Sequence, residues 1–173
     1  MRPATPERLP IHHFLFPIPL LMRYWLMKSE PSDYSIDDLA RDKTASWWGV
    51  RNYQARNFMR DDMRVGDRAI FYHSSCDEPG IVGIVEVSAP AHPDTTQFER
   101  KSKYYDAAST RENPRWVNVD VRFVARTRLI TLEELRRHKA LAKMRVLQRG
   151  NRLSITPVEA AEWKHIDAML SDR

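Results

Sequence analysis

The sequence predicts one α+β domain, a small mixed β-barrel flanked by short helices. Three observations carry that reading. Apolar runs of strand type recur at 24–28, 66–74, 80–89 and 116–129, without the regular strand and helix alternation of a parallel α/β fold. Helix starts are marked by capping residues, and the helices they open are short. No repeat or low-complexity stretch interrupts the 173 residues, a length that fits one domain and buries roughly 70% of its unfolded surface.

Residues 1–21, MRPATPERLPIHHFLFPIPLL, place basic residues ahead of an apolar run. Pro10, Pro17 and Pro19 interrupt the run, Glu7 sits in the leading region and no small-x-small pattern follows, so a secretory signal is not expected. The run also falls short of the roughly 20 apolar residues of a membrane span. Met22 directly precedes RYWLMK. We therefore read 1–21 as a disordered tail or a misassigned start, and 22–173 as the folded domain.

YWLMK opens that domain as a strand, which Pro31 and the cap-type residues of SEPSDYS stop. Ser35 with Asp38 has the pattern of a capping box for a short helix ending near Arg41. Asn52 caps a second helix from Tyr53 to about Arg60, with Ala55, Phe58 and Met59 inward and Arg56 and Arg60 toward water. Free amides at its start, beside Arg51, suit a phosphate. GDRAIFYHS and GIVGIVEVSA form a hairpin around 76–79. The polar connection 90–115 is too long for a passive turn and reads as functional. WVNVDVRFVARTRL alternates Val117, Val119, Val121 and Phe123 with polar residues and is the clearest strand. Thr131 with Glu134 starts one more helix; Thr156, with Pro157 at the first position and Glu159 three residues on, starts the last, which runs to about Leu170.

Composition narrows the function classes. A single cysteine, Cys76, excludes an internal disulfide and a multi-cysteine zinc site, and points to a reducing cytoplasm. Five glycines form neither a phosphate loop nor a dinucleotide fingerprint, and the six histidines lack metal-ligand spacing, so no cofactor or metal is expected. His73 and Cys76 lie three apart across a turn with no third member, a poor basis for a thiol and base pair. Asp37 with Asp38, and Glu133 with Glu134, sit in helix first turns, where the helix dipole explains them. The net charge of +5 favours polyanionic partners weakly. More telling are Arg136, Arg137, Lys139, Lys143, Arg145, Arg149 and Arg152, seven basic residues with no acidic one among them. A solvated helix face explains any single member, whereas the block as a whole suits a polyanion.

The stretch SWWGVRNYQARN, 46–57, sets Trp47, Trp48 and Tyr53 beside a glycine and two arginines. Arginine suits a core poorly, because five donors must find partners if buried. It suits a flat anionic ligand that stacks on rings and meets a planar fork, such as a nucleobase with its phosphate. Adjacent tryptophans in extended chain point to opposite sides, so one packs inward while the other faces a cleft. Gly49 lets backbone and ligand approach closely. Trp25, Phe71 and Trp163 read as core.

Five segments, YWLMKSEPSDYSIDDL, GVRNYQARNFMR, GDRAIFYHSSCDEPGIVGIVEV, KSKYYDAASTRENPRWVNVDVRFV and NRLSITPV, resemble the EVE domain family of the PUA-like superfamily, in order from about Arg23 to His165. The resemblance implies a compact β-barrel with a pocket related to that of the YTH domains, which read a methylated base. It implies non-catalytic binding of modified bases in DNA or RNA. By motif it assigns Ser29 and Glu30 (KSEP), Trp47, Val50, Arg51, Asn52 and Tyr53 (WWGVRNY), Tyr72, His73 and Ser74 (FYHSS), and Arg152 and Ser154 (NRLS) to the pocket. Trp48 departs from the family pattern, which usually has an acidic or small polar residue there, and this bears on the charge of the pocket rim. Trp47 is then the expected functional wall, with Trp48 at the rim and Arg51 orienting the ligand. The rivals are a hydrolase acting on nucleotides or RNA, as proposed for other PUA-like proteins, and a protein-binding scaffold. No membrane partner is expected; the sequence leaves the oligomeric state open and favours a monomer.

Overall fold

The computed structural model describes residues 22–171, so the expected N-terminal tail lies outside the described residues. Six strands are formed: β1 (Tyr24–Ser29), β2 (Thr44–Ser46), β3 (Arg68–His73), β4 (Gly80–Pro93), β5 (Val117–Thr131) and β6 (Ile155–Val158). They hydrogen-bond in the order β2-β5-β4-β3-β1-β6. Only β1 and β3 run parallel; the other pairs are antiparallel. The ladder ends at β2 and β6, so hydrogen bonds leave the sheet open where the sequence predicted a small mixed barrel. Register shifts along β4 and β5, and between Phe71 and Tyr72 on β3, bend it instead.

Both faces of the central strands are buried, and this explains why YWLMK is apolar without a break. Trp25 and Met27 of β1, Ala69 and Phe71 of β3, Val85 and Val87 of β4, and Val119 and Val121 of β5 point into one core. Leu26, Ile70, Tyr72, Ile81 and Ile130, from the same strands, point into the other. The first core is covered by helix α1 (Ile36–Asp42), helix α2 (Tyr53–Asn57) and the π-helical turn Phe58–Asp62 that continues α2. The second is covered by α3 (Leu132–Arg137), two 3-10 turns (Lys139–Leu141, Arg145–Leu147) and α4 (Ala160–Ser171).

Local signals placed most starts well. Ser35 and Asp38 close their capping box at α1, Asn52 caps α2, and Thr131 accepts from the Glu134 amide at α3. The exception is the last helix. Thr156 and Pro157 belong to β6, paired with Leu26 and Trp25, and α4 begins only at Ala160. A proline is tolerated there because β6 is an edge strand, which leaves one side without ladder partners. A three-residue strand, β2, has no sequence signal of its own; pairing with Asp120–Arg122 of β5 creates it.

Candidate functional site

β1 ends, β2 ends and the 94–116 connection folds over at one place, leaving a cleft of about 380 Å³. Its size falls in the usual range for small-molecule sites, roughly 300–1,000 Å³. Lys28, Ser29 and Glu30 line it from β1, Trp47 to Asn52 from the segment after β2, Tyr104 from the long connection and Ser154 from the approach to β6. Lys28 and Ser154 meet there because the Lys28 amide donates to the Ser154 carbonyl, extending the β1–β6 ladder by one bond.

The two tryptophans divide as extended chain requires. Trp47 is 8% exposed and packs edge-on against Phe71, with ring centroids 5.4 Å apart, while still lining the cleft. Trp48 is 46% exposed and meets Tyr104 edge-on at 5.6 Å. Between them Gly49 sits at φ +82°, and a Cβ there would fall 2.7 Å from the Tyr104 ring. The close approach that Gly49 allows is therefore made by Tyr104, not by a ligand.

Arg51 differs from its expected role. Its guanidinium donates to the Tyr104 carbonyl twice, to the Val50 carbonyl, to Asp94 Oδ2 and to Thr96 Oγ1, at 2.7–3.0 Å. All five donors are spent inside the chain. Arg51 thus shapes the cleft by pinning the 94–104 segment, and has no N–H left for a phosphate. Its counterion Asp94 is buried and also accepts from the Gly49 and Thr96 amides and the Thr96 hydroxyl. Burial pushes the Asp94 carboxyl up, but the bonds from Thr96, Arg51 and Gly49 outweigh it and hold the carboxyl below its usual range. The α2 start offers no anion site either, since Asn52 Oδ1 takes the Gln54 and Ala55 amides.

Of the residues assigned to the pocket, Ser29, Glu30, Trp47, Trp48, Val50, Arg51, Asn52 and Ser154 line the cleft. Tyr53 stands outside it, 52% exposed, stacked on Trp116 at 4.9 Å with Arg56 over its ring. Tyr72 lies in the second core, where burial pushes its hydroxyl up to about 12. His73 accepts from the Ile36 amide through Nε2, and burial lowers its pKa against the opposing charge of Asp37. The Ser74 amide donates to the Ser29 carbonyl, and Arg152 is exposed beyond the cleft. Alternation could have removed Tyr72: it follows Leu26 and Ile70 onto the second face. Sequence reasoning missed Lys28 and Tyr104; the first is the neighbour of Ser29 in KSEP, and the second reaches the cleft only through the fold of the long connection.

The basic block forms an exposed strip. Arg137 pairs with Glu133; the side chains of Arg136, Lys139, Lys143, Arg145, Arg149 and Arg152 are exposed and make no hydrogen bond or ion pair among the described residues. Leu141 and Met144 anchor the strip in the second core. Its last member, Arg152, precedes the cleft-lining Ser154 by two residues in sequence.

The chain is thus a mixed open sheet with an aromatic-lined cleft where β1 and β2 end. The match to the EVE domain model spans residues 23–169, and the chain belongs to that family. It is 46% identical over 163 residues to chicken (Gallus gallus) thymocyte nuclear protein 1, covering 83% of this chain and 66% of that protein. It is similar in structure to a Pseudomonas syringae protein, with TM-score 0.82 and 47% identity, covering 84% of this chain and 98% of the other. It is also similar to the human THYN1 protein crystallised in complex with 5-methylcytosine containing DNA, with TM-score 0.82 and 42% identity, covering 88% of this chain and 99% of the other.

Proposed function

We propose that the cleft takes up a modified base of DNA, unstacked from its strand, and holds it without altering it. The cleft itself carries this reading: Trp47 and Trp48 offer ring surfaces in a recess of base-binding size. Unstacking a base costs a few kcal/mol, and each aromatic platform returns roughly 1–3. The cation strip, whose last member Arg152 precedes the cleft-lining Ser154 by two residues, suits the flanking phosphates, which supply most of the sequence-independent affinity. The 5-methylcytosine DNA bound by the human relative favours DNA over RNA as partner. The reading includes a PUA-like arrangement, in which the register shifts of β4 and β5 curl the sheet around the first core. It also includes a passive role for the polar groups: His73 spends its acceptor nitrogen on the Ile36 amide, and Asp94 spends its oxygens on Arg51 and amides.

The test is titration of the purified protein with oligonucleotides that carry one 5-methylcytosine or one cytosine, followed by recovery of the strand. Tighter binding of the methylated strand with quantitative recovery is the expected result. Turnover of the base or strand would establish the hydrolase, and equal binding of both strands would remove the modified base from the cleft.

A further inference from the structure

Besides the Tyr104 and Ser154 hydroxyls and the Asn52 side-chain nitrogen, which also lack a hydrogen-bond partner, the cleft offers donor-only groups and one acceptor-only group without a partner among the described residues. The Trp47 indole N–H makes no hydrogen bond, yet it is not sealed: the one buried, unpartnered side-chain N or O atom among the described residues is Asn118 Oδ1. That N–H therefore keeps access to open space, and the space Trp47 lines is the cleft. Lys28 lines the same cleft half-buried, and its ammonium has neither a hydrogen-bond nor an ion-pair partner among the described residues. Burial lowers its pKa from the ordinary lysine value. Glu30 supplies a free carboxylate on the lining. The other lining carboxylate, Asp33, is taken up by Lys103 at 3.1 Å. Ser29 is taken up by the Tyr34 carbonyl and Ser46 by Asp120.

A donor-only ammonium and a donor-only indole suit two neighbouring acceptors, and a carboxylate suits an amine. Cytosine shows that set on its pairing edge, with O2 and N3 accepting and the N4 amine donating. Thymine carries the same 5-methyl group as 5-methylcytosine but turns N3 into a donor and the 4-position into an acceptor. Both reversals oppose Lys28, Trp47 and Glu30. We propose that Lys28, Trp47 and Glu30 are specificity-determining residues that read the pairing edge of a cytosine-type base and reject thymine. This rests on the reading of the cleft as a base pocket. The methyl group alone supplies about fivefold discrimination from apolar burial, so the polar edge carries the larger share.

The experiment compares single-stranded oligonucleotides that differ at one position, 5-methylcytosine or thymine, against the wild-type protein and Lys28→Met, Glu30→Leu and Trp47→Phe. Wild type should prefer the methylcytosine strand by more than about tenfold, and Lys28→Met should lose roughly tenfold of that preference, the size of one hydrogen bond to a charged donor. Thymine binding should hold within about twofold or improve in Glu30→Leu, a gain that a merely structural role would not give. Trp47→Phe keeps the ring and removes the N–H, with a melting curve to separate packing from recognition. If Lys28→Met weakens both strands equally and flattens the salt dependence, Lys28 contacts phosphate and the inference falls. An unchanged preference in all three variants overturns it while leaving the base pocket standing. Failure of wild type to bind the methylcytosine strand, single or paired, overturns the pocket reading and this inference together.

Discussion

Two arginine-rich regions of the molecule look alike in sequence and behave oppositely in structure. Around the cleft, Arg51 is 21% exposed in its side chain and every donor is matched, with Asp94 as counterion. Along the strip from Arg136 to Arg152, one side chain is paired and the rest face solvent without partners among the described residues. The first region converts charge into geometry; the second keeps its charge available. Charge free of internal partners therefore lies on the strip, and the clamp supplies shape. Arginine content alone does not distinguish the two. What distinguishes them is the presence of acceptors: Asp94, Thr96 and the Tyr104 carbonyl all come from one long connection that folds back on Arg51.

The sharpest way to break the comparison is Asp94→Ala. It leaves the Arg51 charge partly buried and three donors unpaired, and should cost about 3–5 kcal/mol of stability by denaturant unfolding. Trp47→Ala should cost a similar amount, roughly 3–5 kcal/mol, because its ring fills the first core against Phe71. A loss below about 1 kcal/mol for either would mean that the cleft is not held by the clamp and core as described.

Next in size, Trp48→Ala should weaken binding of 5-methylcytosine DNA by about 1–3 kcal/mol while leaving the melting temperature nearly unchanged. A large fall in melting temperature with unchanged affinity per folded molecule would move Trp48 from wall to scaffold. For the strip, Lys143→Gln with Arg145→Gln should flatten the plot of log affinity against log salt by roughly 2 and leave stability within about 0.5 kcal/mol. An equal slope in wild type and double variant would take those side chains off the phosphates.

The smallest effect is the pH dependence of the clamp and of His73. The Asp94 carboxyl is held below its ordinary value in the folded chain. The stability it contributes is thus fully present above the unfolded carboxylate value, near pH 3.9, and is lost as pH falls through the lower folded value. His73, also depressed, adds a loss that begins higher, as pH falls below its unfolded value near 6.5. Stability curves of Asp94→Asn and His73→Gln should each lack their own acid limb, whereas the double variant of the strip should retain both.

How much of this was legible beforehand depends on the range of the interaction concerned. Capping boxes act over three or four residues, so Ser35, Asn52 and Thr131 marked their helices correctly. Period-two alternation is equally local, and the strands at 24–28, 66–74, 80–89 and 116–129 all formed. That Trp47 and Trp48 face opposite ways followed from the same geometry; which of them packs inward did not, and Trp47, the expected wall, is the one in the core. Thr156 and Pro157 carried a helix signal and became a strand, because backbone pairing with Trp25 and Leu26, some 130 residues away, outweighed a local cap.

By itself, then, the sequence determined the strands, most helix starts, the exposed cations and the family to which the chain belongs. Only the tertiary structure decided that the sheet stays open between β2 and β6, that Arg51 is a clamp and not a ligand hook, that Tyr72 faces the second core, and that Lys28 and Tyr104 border the cleft. The physical reason is the same in each case. A residue type sets what a side chain is able to bond, but which of its donors remain free depends on acceptors brought from distant parts of the chain. For Arg51 those acceptors sit more than forty residues on, and no local pattern announces them.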